Sequence, residues 1–183
     1  PVSFRPVEFL VEADVAHPRE QALDADGHFL ARQRRADAGV GAAPEGDVLV
    51  FEEKDEAFFL SMGKSKDEKY MFIDLSSHTS SEIHYFPADT PETKPILFAP
   101  RRPLIELGME QHEGWWYIVT NEDAVNFKLM RTKVDQPDRS QWEEVIAHDP
   151  LVKIDDIETF KDFIVIYGRR GGYKNMIVRD MRN

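Results

Sequence analysis

The stretch Phe58-Phe-Leu-Ser-Met62 is answered 47 residues on by Ile105-Glu-Leu-Gly-Met109, and after the same interval by Val152-Lys-Ile-Asp-Asp156. Further registers keep step with it. Tyr70-Met-Phe-Ile-Asp74, Trp116-Tyr-Ile-Val-Thr120 and Phe163-Ile-Val-Ile-Tyr167 make a second; Glu82-Ile-His-Tyr-Phe86, Asn126-Phe-Lys-Leu-Met130 and Asn175-Met-Ile-Val-Arg179 make a third. A fourth pairs Pro95-Ile-Leu-Phe-Ala99 with Glu143-Glu-Val-Ile-Ala147, and its third copy would fall beyond Asn183. Each run is short, rich in Val, Ile, Phe, Tyr and Met, and bounded by turn-forming clusters, so each reads as a strand. Four strands per unit of roughly 40–50 residues is the period of a propeller blade. The pattern predicts an all-β fold: a partial β-propeller of about three four-stranded antiparallel blades, roughly 56–99, 104–147 and an incomplete 152–183.

Propellers close on typically ~4–8 blades. Three blades leave two sheet faces bare, so the chain is expected to be a piece of a longer protein and poorly soluble alone, since exposed apolar patches promote association. The first residue, Pro1 instead of Met, agrees with that expectation. Asp47-Val-Leu-Val-Phe-Glu52 reads as the outer strand of a preceding blade. The polar stretches Ser65-Lys-Asp-Glu-Lys69, Glu113-Gly114 and Arg169-Arg-Gly-Gly172 read as hairpin loops. Asp89-Thr-Pro-Glu-Thr-Lys94 and Asp135-Gln-Pro-Asp-Arg-Ser140 read as longer connections at equivalent points of two units. Their prolines cannot donate to a ladder, which suits loops.

Residues 1–50 differ in composition from the rest. They contain no Lys, Ile, Asn, Tyr, Thr, Met or Trp and hold nine of the fourteen alanines, whereas Lys, Ile, Thr and Asn are common from Phe51 onward. Residues 1–45 are therefore left unassigned. They could be a poorly ordered leader, since Ala, Gly and charged residues bury little apolar surface, or the product of a shifted reading frame. A basic arm with Arg32, Arg34 and Arg35 as its contact group is the less favoured reading.

Composition narrows the function classes. The net charge of −11 argues against general affinity for nucleic acid or an anionic membrane surface. Absence of Cys removes disulfides and thiolate zinc sites. No stretch approaches the ~18–20 apolar residues of a spanning helix. No cofactor is expected.

Several clusters hold residue types used in catalysis. Ser76-Ser-His-Thr-Ser-Ser-Glu-Ile-His84 contains Ser, His and Glu, but a triad is defined by geometry, and Ser and Thr between two strands are ordinary turn residues. Gly168-Arg-Arg-Gly-Gly172 lacks the Lys-Ser/Thr of a phosphate loop and is flanked by strands on both sides. His112-Glu113 does not extend to a zinc-protease motif, and His17, His28 and His148 have no ligand-like spacing. Asp155, Asp156 and Glu158 lack a calcium-loop pattern and read as surface residues. Trp115 and Trp116 lie on one strand, so one should face a neighbouring blade and the other the opposite way. No Gly-x-Ser-x-Gly elbow occurs, and no catalytic, cofactor-binding or metal-binding residue is assigned.

The residues also carry a family likeness. Asp47-Val-Leu-Val-Phe-Glu-Glu-Lys-Asp-Glu-Ala-Phe-Phe-Leu60, Thr79-Ser-Ser-Glu-Ile83, Thr120-Asn-Glu-Asp-Ala-Val-Asn-Phe-Lys-Leu129 and Val165-Ile-Tyr-Gly-Arg-Arg-Gly-Gly172 resemble the propeller of oligopeptidase B-like members of the prolyl oligopeptidase family of serine peptidases. The likeness runs over about residues 46–180. It implies a parent in which a seven-bladed propeller caps an α/β-hydrolase domain that holds the Ser-Asp-His triad. The propeller admits short peptides and excludes folded proteins. It further implies cleavage after Arg or Lys, a cytoplasmic location, and no activity for this chain alone. None of the family's catalytic motifs maps onto these residues. The alternatives are a non-catalytic propeller scaffold that closes by self-association, and a truncated gene product.

Overall fold

The computed structural model describes residues 9–10, 29–33, 48–90 and 92–181. All eleven runs read from the repeat overlap strands. Among the described residues the other regular element is a single 3-10 turn, Arg139–Gln141.

A leading sheet contains β1 (Phe9–Leu10), β2 (Phe29–Gln33) and β3 (Val48–Glu53), in that order. β3 lies at its edge, where the sequence placed an outer strand. The next sheet is β4 (Phe59–Lys64), β5 (Tyr70–Ser76), β6 (Ser81–Pro87) and β7 (Ile96–Ala99), each paired antiparallel with its successor. The middle sheet repeats this with β8 (Leu107–His112), β9 (Trp115–Thr120), β10 (Lys128–Lys133) and β11 (Glu143–Ile146). The third consists of β12 (Val152–Thr159), β13 (Phe163–Arg170) and β14 (Tyr173–Asp180).

Two strands lie within the unassigned first segment. β1 and β2 fall within residues 1–45 and form ordered antiparallel pairs, Arg32 standing opposite Leu10 on one side and Leu49 on the other. Composition hid this because Phe29-Leu-Ala-Arg-Gln33 is short and sits beside an Ala- and Arg-rich stretch. Its strand character comes from the ladder that β3 supplies. Arg34, Arg35, His17 and His28 lie outside the described residues.

Side chains alternate across a strand, so each central strand serves two cores. Met71, Ile73 and Leu75 of β5 pack with Ala31, Phe58, Leu60 and Phe86 between the leading and first full sheets. Phe72, from the opposite face of β5, joins Ile83, Tyr85, Phe98, Trp116 and Ile118 between the first full and middle sheets. In β9 the same switch sends Tyr117 and Val119 toward Leu129, Ile154, Ile157, Ile164 and Ile166 of the third seam. Each fully buried side chain of this kind contributes roughly 1.5–3 kcal/mol. The two tryptophans follow the alternation: Trp116 is fully buried against the preceding sheet, and Trp115 packs against the seam with the following one. Both faces of β9 meet a neighbouring sheet.

The hairpins use the backbone their residues favour. Gly171 and Gly172, at φ 57° and 82°, close β13 onto β14, and Glu113 and Gly114, at 47° and 82°, close β8 onto β9. β14 is an edge strand on which Tyr173, Met176 and Val178 are more than half exposed.

Candidate functional site at the seams between blades

The stretch 76–84 is structural. Ser77 Oγ donates to the Ser80 carbonyl at 3.2 Å and accepts from the Ser80 amide at 3.0 Å, closing the turn between β5 and β6. Ser80 Oγ and Ser81 Oγ accept from the Leu104 and Leu107 amides, at 3.3 and 3.2 Å, and so anchor the link to the middle sheet. His84 Nε2 lies 2.8 Å from Glu82 Oε1, and its ring packs on Phe51. The Gly168–Gly172 stretch is a strand end and hairpin, and His112 Nε2 lies 3.3 Å from the Lys161 carbonyl. Two residues of the acidic run are engaged with their own sheet: Asp155 pairs with Lys153 and Arg169 at 3.2 and 3.0 Å, and Asp156 caps the Ile157 amide.

What the structure assembles instead are polar clusters at the seams. Between the leading and first full sheets, Arg101 donates to Glu82 through Nε at 3.0 Å and to Glu53 through Nη2 at 2.5 Å, with its guanidinium 3.9 Å over the Phe58 ring. Burial pushes the Glu82 carboxyl up, but the Arg101 and His84 hydrogen bonds outweigh it and hold the group below its usual range. Glu53 is buried, so the cluster satisfies a charge that would be costly alone. At the next seam Glu122 receives both Arg102 and Arg139.

Asp74 of β5 stands opposite Ile83 at the seam between the first full and middle sheets, and Glu110 of β8 stands opposite Tyr117, on the face turned to the third sheet. Burial pushes Asp74 up to about 6. Burial also raises Glu110, and Asp156, Glu158 and Asp74 add to the effect while Lys66 opposes it. A raised folded-state pKa means that the native protein holds the Asp74 proton more tightly than the unfolded chain, whose value is 3.8. Its stabilisation is therefore complete below that value and is lost as pH rises through about 6. Asp74→Asn should melt higher than the parent at pH 7.5, by up to about 3 kcal/mol of stability, with the gap closing near pH 4. Thermal melts of both proteins at the two pH values test this; a gap that does not change with pH refutes it.

A third cluster joins the turns of three sheets. Lys66, between β4 and β5, donates to Glu158 Oε1 at 2.8 Å and to the Thr159 carbonyl at 2.9 Å, with its ammonium 4.0 Å from the Phe160 ring centroid. Beside it, the amide of buried Gln111, oriented to satisfy its neighbours, donates to Asp67 at 2.8 Å and accepts from the Gly114 amide. Sequence reading found neither Lys66 nor Arg101, because their partners lie 92 residues away for Glu158 and 48 for Glu53. The 47-residue period was the signal available, since it places the turns of successive blades at equivalent points.

These stacked antiparallel sheets, packed through both faces, define part of a β-propeller. The family described as prolyl oligopeptidase, N-terminal β-propeller domain, matches residues 33–183, and the chain belongs to that family. Among its relatives are dipeptidyl aminopeptidase BI of Pseudoxanthomonas mexicana, 32% identical over 85% of this chain and 22% of the relative, and protease 2 of Moraxella lacunata, 36% identical over 73% and 19%. The first of these matches reaches into residues 1–45. The chain spans about a fifth of the length of these curated relatives. Oligopeptidase B from Trypanosoma brucei, in a closed form with covalently bound antipain, matches at a TM-score of 0.75 and 26% identity over 87% of this chain and 22% of its own. Oligopeptidase B from Leishmania major shares the fold at a TM-score of 0.74 and 24% identity, over 82% and 21%.

Proposed function

We propose that these residues form the substrate-gating propeller segment of a serine-type oligopeptidase that hydrolyses short peptides after Arg or Lys in the cytoplasm. The observation that carries this reading is the family match over residues 33–183, supported by the likeness to an oligopeptidase B that binds antipain. The catalytic partner is an α/β-hydrolase domain elsewhere in the parent chain, which supplies the triad. Propeller blades contribute by restricting access: each seam is closed by apolar packing, which keeps the ring rigid while short peptides reach the triad. The net charge of −11 favours basic peptides near its surface.

The exposed apolar face of β14 supports a further strand of a longer chain lying over it. It also suits self-association into a scaffold ring. Sedimentation separates the two, because a scaffold gives a defined oligomer and a propeller segment an aggregating or unfolded monomer.

The activity test uses reporter peptides with Arg, Lys or norleucine before the scissile bond. The full-length parent should cleave the Arg and Lys reporters at least about tenfold faster than the norleucine one, and the 183-residue chain should cleave none. Equal rates on all three, or hydrolysis that stays with the purified chain at constant specific activity through successive purification steps, would overturn the reading.

A further inference from the structure

We propose that Glu158, the Thr159 carbonyl and the Phe160 ring form a binding site for a primary ammonium group, filled here from within the chain by Lys66 and open to a peptide's lysine side chain when Lys66 leaves. That such a lysine is the outside ligand rests on the peptidase reading above; the ammonium site itself does not.

Each wall of the site is held by something other than Lys66. The Tyr167 hydroxyl donates to Glu158 Oε2 at 3.0 Å, fixing the carboxylate and leaving Oε1 for the ammonium. Thr159 is fully buried and paired opposite Ile164 in the β12–β13 ladder, which sets the direction of its carbonyl. The Phe160 ring stacks on Phe163 at 4.7 Å and 16°, and the Phe160 amide donates to the Phe163 carbonyl at 2.8 Å. Carboxylate, carbonyl and aromatic face thus stay in place whether or not the cation is present.

The occupant is held differently. Lys66 comes from the β4–β5 turn, two blades away, and its side chain is 38% exposed. Exposed ion pairs contribute little to stability, because water and salt screen them. Lys66 is therefore a tethered competitor and not a structural anchor, and it leaves at small cost. The surroundings favour a replacement cation, because Glu110 and Asp156 add negative charge around the same point. The contacts also select the cation. An ammonium is a compact charge with three donors, and two of them here meet two separate oxygens. A guanidinium prefers the planar, two-oxygen face of a carboxylate, and one Glu158 oxygen is taken by Tyr167. The site should therefore prefer lysine to arginine.

The test is calorimetric titration of the full-length parent protein with Nα-acetyl-lysine amide. Lys66→Met keeps the aliphatic stem and empties the site, so it should bind the probe roughly 3–10-fold more tightly than the parent, by removal of the tethered competitor. Adding Glu158→Gln should abolish that gain, and Nα-acetyl-arginine amide should bind the Lys66→Met chain less tightly than the lysine probe. Equal affinity of parent and Lys66→Met, or a gain that survives Glu158→Gln, overturns the site. Should Lys66→Met not fold, the Lys66 Nζ resonance of the parent decides: it should shift as the lysine probe is added, and an unmoved resonance at high probe concentration also overturns the site. Reporter hydrolysis by the parent enzyme is scored separately. Cleavage after Lys and Arg without ammonium binding would remove this site alone, and binding without cleavage would remove the peptidase reading alone.

Discussion

Trp116→Ala is expected to destabilise the protein by ~3–5 kcal/mol, the range for truncating a large aromatic side chain in a packed core. Trp116 is fully buried, and the rings of Tyr70, Tyr85, Phe98 and Phe72 surround it at 4.9, 5.0, 5.8 and 5.9 Å. Tyr70, Phe72, Tyr85 and Phe98 belong to the first full sheet and Trp116 to the middle one, so one indole joins the two blades through four rings. Its removal leaves a cavity lined by rings that cannot collapse without moving a strand. The indole Nε1 has no hydrogen-bond partner among the described residues, so Trp116→Phe loses volume but also removes a buried unpaired donor. The Phe variant should consequently retain most of the stability. Urea unfolding of the three proteins checks the order; an Ala variant within about 1 kcal/mol of the parent would mean that the two sheets do not pack through this residue.

Gly168→Ala should be the second severe change, and it acts through the backbone. A Cβ at Gly168 would lie 2.1 Å from the Lys153 carbonyl oxygen. The pairing of β12 with β13 shifts register here, between Ile154 and Asp156, and the bulge brings the two chains together. Because the obstacle is main chain, no rotamer change relieves it, and the ladder must open at the strand pair carrying Ile154 and Ile166 into the third seam. The expected cost is at least the ~1–3 kcal/mol of ordinary overpacking. Gly63→Ala is the control, since no atom of the described residues lies within 4 Å of the Cβ it would gain. Comparable unfolding midpoints for the two variants would refute the close approach at Gly168.

Much of the architecture was legible in the chain. The period of 47 residues, carried by Phe58–Met62, Ile105–Met109 and Val152–Asp156, located the strands of three blades, because a strand needs only a short run of apolar and β-branched residues between turns. Gly171-Gly172 announced its hairpin for a similar local reason: positive φ is a property of the residue itself. The adjacent tryptophans could be assigned to opposite faces from alternation alone. β2 was missed because Phe29–Gln33 has weak strand character of its own and is ordered through its pairing with β3.

The charged clusters were a different matter. Nothing near Arg101 in sequence marks Glu53 as its partner, and nothing near Lys66 marks Glu158. Those contacts exist because blades stack face to face, bringing equivalent turns of different repeats together. By itself the sequence determined the strands, their turns, the repeat and hence the blade, since these depend on local periodicity and backbone preference. The tertiary structure alone decided which carboxylates are raised, which cations are caged and which glycine admits no side chain, because each of these is set by atoms dozens of residues away or by the close approach of two strands.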